Sequence, residues 1–142
     1  MTLAVLLAQV EALKHNNVVA SMKLVWLTEL EQRVVIEVLN THALSTEEEA
    51  ERALFTHYDA ETVSTTVLLV PDPYSELYRY FLMAQIDESV REMSSYGNNI
   101  QQFRRAWVNY ANFYNRTHIP YMQVQNFRLD GGTNWTAIDP LA

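Results

Sequence analysis

The chain has 142 residues, 49% of them apolar, which places it with single globular domains rather than with disordered segments. Seventeen acidic against ten basic residues give a formal net charge of −7, which argues against a surface that grips duplex phosphate. There is no cysteine, so disulfides, thiolate metal sites and cysteine nucleophiles are excluded together.

The first element is a short amphipathic helix, with Thr2 as its cap and Leu3, Leu6, Leu7, Val10 and Leu13 on one side. Its apolar start has no basic residue before it and is interrupted by Gln9 and Glu11. It therefore reads neither as a signal peptide nor as a membrane span. Lys14-His15-Asn16-Asn17 breaks it. A second helix is expected from about Val19 to Asn40, with Met22, Trp26, Leu27, Leu30, Val34 and Val38 inward. The β-branched run Val34-Val35-Ile36 favours a strand locally, but the length and the flanking Glu, Arg and Leu residues favour helix.

Thr41-His42-Ala43-Leu44 closes that helix. Ser45-Thr46-Glu47-Glu48-Glu49 follows, an acidic run with the form of a capping signal, and it reads equally well as a solvated loop. Glu47, Glu48 and Glu49 are its candidates for an exposed acidic surface. Phe55 to Val70 is rich in β-branched residues and reads as an extended arm or as one or two short strands.

The stretch 73–118 reads as two long helices joined by a turn, each of about twenty residues and hence on the order of 30 Å. Asp72 is placed to cap the first, with Pro73 at its first position. Leu77, Phe81, Ile86, Val90 and Met93 recur on one side, with Glu76, Arg79, Asp87, Glu88, Arg91 and Glu92 on the solvated side. Ser94-Ser95-Tyr96-Gly97-Asn98-Asn99 is the expected turn. In the second helix Tyr96, Ile100, Phe103, Trp107, Tyr110 and Tyr114 form a heptad-like seam, of which Phe103, Trp107 and Tyr110 are assigned to the core alone.

Beyond Ile119-Pro120 the helical period ends. Residues 119–142 read as a C-terminal extended arm, set apart from a helical domain over 1–118 that includes the 73–118 hairpin and the 55–70 arm. The arm holds more apolar residues than a solvated terminus requires. Phe127, Leu129, Trp135 and Ile138 are its candidates for docking on the body or on a neighbouring subunit. The fold expected is mostly α: a small helical bundle built on a long antiparallel helical hairpin, with extended or short β arms.

No catalytic constellation emerges. His15, His42, His57 and His118 are scattered, and none sits in a metal-ligand spacing. His57-Tyr58-Asp59 puts an imidazole beside a carboxylate, which by itself is weak ground for a catalytic pair. There is neither a phosphate-cradling glycine loop nor a nucleophile elbow. Asn115-Arg116-Thr117 and Asn134-Trp135-Thr136 match glycosylation acceptors without a secretory context. Arg104 and Arg105 are too few for a nucleic-acid footprint and enough to pair with acidic neighbours. The expectation is a protein without catalytic, cofactor or metal site.

Several stretches nevertheless form a recognisable set. They are Lys23-Leu24-Val25-Trp26-Leu27-Thr28-Glu29-Leu30-Glu31, Thr41-His42, Leu68 to Asp87 with its Pro71-Asp72-Pro73-Tyr74-Ser75-Glu76-Leu77-Tyr78, Tyr96-Gly97-Asn98-Asn99, and Tyr110 to His118 with its Tyr114-Asn115-Arg116-Thr117-His118. This set resembles a family of small tailed-bacteriophage and prophage proteins, the head–tail connectors or adaptors. The resemblance implies a helical, non-enzymatic virion protein of the neck, made in the bacterial host cytoplasm. It implies a homo-oligomeric ring with the portal's twelve-fold symmetry, which extends the DNA channel and meets the portal protein above and a further neck or stopper protein below. DNA would pass through without specific binding, and no membrane is involved. A tail-completion protein, an assembly chaperone and an unrelated helical protein-binding adaptor are the alternatives.

Overall fold

The structure, a computed structural model, describes residues 1–42, 47 and 58–118. It is mostly helical. Among the described residues four α-helices, α1 (Leu3–Leu13), α2 (Ala20–Glu37), α3 (Glu76–Ser89) and α4 (Met93–Thr117), build a small bundle, with a 3-10 turn at Leu39–Thr41. α3 touches each of the other three, and α4 packs along it. Accordingly Leu77, Tyr78, Leu82, Ala84 and Ile86 of α3 are almost wholly enclosed.

Thr2 caps α1 as its sequence suggests, its hydroxyl accepting from the Val5 N–H at 3.4 Å. Leu3, Leu6 and Val10 face inward, while Leu13 at the helix end is exposed. Asn16 accounts for the break: it donates to the Lys14 carbonyl and accepts from the Val18 N–H, bonds that compete with helix. α2 stays helical through its β-branched run because Leu24, Leu27, Leu30 and Val34 are buried as one stripe. Burial outweighs local preference there. Met22 points outward, contrary to expectation, and Trp26 is half-buried.

Of the expected 55–70 arm, residues 55–57 lie outside the described residues, and residues 58–70 form neither strands nor a projecting arm. They make one isolated bridge, Thr2 with Val67, and they lie on the body with Tyr58, Leu68 and Val70 buried. Their polar backbone serves α1. The first N–H groups of a helix have no partner within it. Here Leu3 N–H donates to the Thr66 carbonyl and Ala4 N–H to the Ser64 carbonyl, both at 2.9 Å.

α3 starts later than its proline pair suggests. Asp72 does not cap it: its carboxylate is taken by the Ser75 hydroxyl and, at 3.1 Å, by the Met1 amino group. Tight turns lead from Pro71 into the helix, whose first residue is Glu76, and α3 is 14 residues long rather than about twenty. Its far end also differs. The connection is Val90–Glu92, and Ser94–Asn99 is the first part of α4, with Gly97 on an open outer position. Val90 and Met93, expected inside, are exposed at this junction.

The reversal rests on Arg91, in the left-handed region at φ 65. Its N–H donates to the Glu88 carbonyl and that of Glu92 to the Asp87 carbonyl, a Schellman closure without glycine. Arg91→Gly should therefore stabilise the domain by about 1 kcal/mol, read from the urea midpoint. An unchanged or lowered midpoint would mean that the arginine side chain contributes more than its backbone costs.

α4 presents Phe103, Ala106, Tyr110 and Tyr114 inward, with Ile100 and Trp107 half-buried. Trp107 is thus a rim residue, covered by the Arg33 guanidinium 5.5 Å from its ring, rather than a fully buried core residue. Phe81 meets Phe103 with ring centroids 5.3 Å apart, and Tyr74 stacks on Phe113 at 4.6 Å. Among the described residues no helix is long and apolar enough to cross a membrane. The boundary expected at residue 118 falls at the edge of the described residues, and the 119–142 arm lies outside them.

Candidate functional site

The chemistry of the described body is concentrated in three polar contacts inside it. Sequence reasoning missed all three. The deepest is Glu31, on α2 and fully enclosed. Its Oε1 accepts from the Tyr58 hydroxyl at 2.8 Å; its Oε2 accepts from the Tyr78 hydroxyl at 2.5 Å and the Leu69 N–H at 3.0 Å. The Tyr78 hydroxyl in turn accepts from the Val70 N–H at 2.8 Å. One carboxylate thereby fastens the 58–70 segment and α3 to α2.

Burial pushes the Glu31 carboxyl above its ordinary value of 4.5, and the three donors only partly offset this. Burial and the neighbouring carboxylate push both phenols far above 10.0. Because the folded value for Glu31 exceeds the unfolded one, the folded state binds this proton more tightly. The resulting stability is fully present below about 4.5 and is lost as pH rises through the folded pKa. Compared with Glu31→Gln, the natural chain should gain stability in urea titrations as pH falls from neutrality toward the ordinary value of 4.5. A difference that stays flat or shrinks over that range would show that the carboxyl is not raised.

The second contact is Asp87, expected on the solvated side of its helix and in fact fully enclosed. Its Oδ1 lies 2.6 Å from Lys14 Nζ, and its Oδ2 accepts from the Asn99 amide at 2.7 Å. The carboxylate beside it raises the Lys14 pKa. This contact ties α1, α3 and α4 together where α1 ends.

The third is His42, buried just after the 3-10 turn. Its Nδ1 donates to the Val38 carbonyl at 2.7 Å, and its Nε2 meets the Asn115 side-chain amide at 2.6 Å. Tyr114 lies edge-on to the imidazole at 4.8 Å, and His118 stacks on Tyr114 at 3.9 Å. All three contacts hold helices together. Among the described residues no group of three His, Cys, Asp or Glu could hold a metal ion.

Two shallow grooves are lined wholly by described residues. One of about 260 Å³ is polar, lined by Tyr74, Glu76, Asn109, Asn112 and Arg116. The other, of about 300 Å³, is more apolar and lies between the starts of α1 and α2 under Asp59 to Ser64. Of the expected acidic surface, Glu47 is exposed, while Glu48 and Glu49 lie outside the described residues. Phe127, Leu129, Trp135 and Ile138 also lie outside them.

The stretches that carry the connector resemblance, far apart in the chain, meet at these contacts. Lys23–Glu31 meets Leu68–Asp87 through Glu31, Leu69 and Tyr78. Thr41-His42 meets Tyr110–His118 through Asn115, and Tyr96–Asn99 meets Asp87 through Asn99. No protein-family model matches the chain, and comparison with curated proteins and with solved structures finds no match.

Proposed function

We propose that this chain is a structural protein of a tailed-phage neck, a head–tail connector that assembles as a ring on the portal and extends the DNA channel toward the tail. The observation that carries the reading is the convergence just described: five stretches of the connector-like set meet in the three buried polar contacts, which Lys14, Val38 and Tyr58 complete from outside the set. The resemblance thus follows the residues that fix how the helices sit together, rather than a generic run of helix formers.

Two further features support it. The net charge of −7 suits a conduit, because a negative wall repels phosphate and does not retain a genome in transit. A ring of identical copies needs heterologous contacts, in which one patch meets a different patch on the next copy. In this reading Phe127, Leu129, Trp135 and Ile138 supply apolar anchors for such contacts, and the exposed Glu47 belongs to the acidic surface. The role is one of assembly and not of catalysis, and the protein resides in the virion.

Antibody labelling of purified virions, viewed by electron microscopy, tests the proposal. Label at the junction of head and tail is the expected result. Label elsewhere would give the chain to another virion part. Its absence from both intact and dissociated particles would leave an assembly chaperone or an unrelated helical adaptor.

A further inference from the structure

The chain's charge is divided along its length. Residues 1–92 hold fifteen acidic and six basic side chains, whereas residues 93–118, which comprise α4, hold three arginines and no acidic residue. Gln101, Arg104, Arg105, Asn112 and Arg116 recur at helical spacing and are all exposed. With the exposed Val108 among them, they make a mainly polar, cationic outer face along a helix of about 37 Å.

An ordinary solvated helix face mixes both signs and pairs them locally. α2 does so, where Arg33 pairs with Glu37. On α4 none of the three arginines forms an ion pair among the described residues.

Resting on the ring reading above, we infer that the outer face of α4 is one half of the contact between copies, its occupant the acidic surface of residues 1–92 of a second copy. Charge complementarity selects this occupant. Glu29, Glu61 and Glu88 are exposed carboxylates that form no ion pair among the described residues. The cationic face and these carboxylates lie on different parts of the chain, so the contact is heterologous and propagates head to tail, as a closed ring requires. Complementary faces of this kind set orientation and encounter rate more than affinity. Three arginines on a chain of net charge −7 are a poor footprint for nucleic acid.

The absence of native cysteine allows a single nitroxide label through Asn112→Cys, at an exposed position. Full-length labelled chain is mixed at millimolar concentration with unlabelled, nitrogen-15-enriched full-length chain, and broadening of the enriched amides is read. Broadening is expected beside the exposed carboxylates of residues 1–92. It should fall roughly fivefold or more on going to high salt, and likewise in Arg104→Glu/Arg105→Glu/Arg116→Glu, whose circular dichroism should match the parent. Combining that variant with a Glu29→Lys/Glu61→Lys/Glu88→Lys partner should restore it.

Broadening confined to α4 would mean that the face pairs with itself, and would overturn the inference. So would broadening that ignores salt and the arginines, or none at millimolar concentration. A duplex oligonucleotide that binds this face and is released by the same substitutions would give the face to nucleic acid instead. Positive broadening together with virion label away from the neck would keep this contact and discard the neck assignment. The reverse pair of results would keep the neck and discard the contact.

Discussion

Tyr78→Phe should lower the folding free energy by about 3 kcal/mol, although it removes a single oxygen. The ring stays and no cavity forms, so the loss is one of hydrogen bonding. The Tyr78 hydroxyl accepts from the Val70 N–H and donates to Glu31. Without it, an enclosed N–H is left without its acceptor and an enclosed carboxylate without its shortest donor. Each deficit costs about 1 to 3 kcal/mol, with groups that bear charge at the upper end. Tyr58→Phe strips only one donor from the same carboxylate and should cost less, about 1 kcal/mol. Urea titration of both variants gives the comparison. Equal effects, or a Tyr78→Phe loss below that of Tyr58→Phe, would mean that Glu31 is not the fastening point of the 58–70 segment.

Tyr110→Ala is expected to cost about 4 kcal/mol, through the volume it empties. Tyr110 is 2% exposed and lies in a cluster with Tyr74, Phe113 and Tyr114, its ring centroid 6.2, 6.4 and 6.0 Å from theirs. Aromatic neighbours at such separations add to the area term, and they cannot collapse into the gap without losing one another. For a domain of typical stability, about 5 to 15 kcal/mol, this is a large share. The thermal midpoint should fall by well over ten degrees, and near-ultraviolet circular dichroism from the cluster should weaken. Trp107→Ala, at a half-buried position, serves as the comparison. A larger loss there than at Tyr110 would relocate the centre of the helix contact.

What the sequence discloses and what it hides differ in kind. Elements with a sustained period are legible: α1 with Thr2 at its head, the Leu27, Leu30 and Val34 stripe of α2, and the Phe103, Tyr110 and Tyr114 seam of α4. The mostly helical class follows from them. Boundaries decided by competition for a side chain are not legible. Asp72 is a good cap by type, yet Ser75 and the Met1 amino group take its carboxylate. Likewise the glycine and asparagines of 94–99 suggest a turn, while the chain reverses at Arg91, a residue with no turn preference of its own. The buried polar contacts join residues up to 73 positions apart, and no local pattern contains them. Glu31 did leave a trace: it follows Leu24 and Leu27 and precedes Val34 at spacings of three, four and three, a charge set into an apolar stripe. The candidate site was therefore readable only as an anomaly, since its partners arrive from other elements.

α4 carries Asn99 near one end and Asn115 near the other, sixteen positions apart along a continuous helix, or about 24 Å. Each amide is pinned to a different part of the molecule, the first to Asp87 and the second to His42. The helix is thus a strut clamped at both ends, and its two clamps fail separately. Loosening the Asp87 clamp frays the first turns, where Gly97 already weakens the coil, and leaves the Tyr114 end seated. Amide hydrogen exchange along this one helix would therefore have its slowest sites in the middle, around Phe103 to Tyr110, and the rates at the two ends would respond to different substitutions.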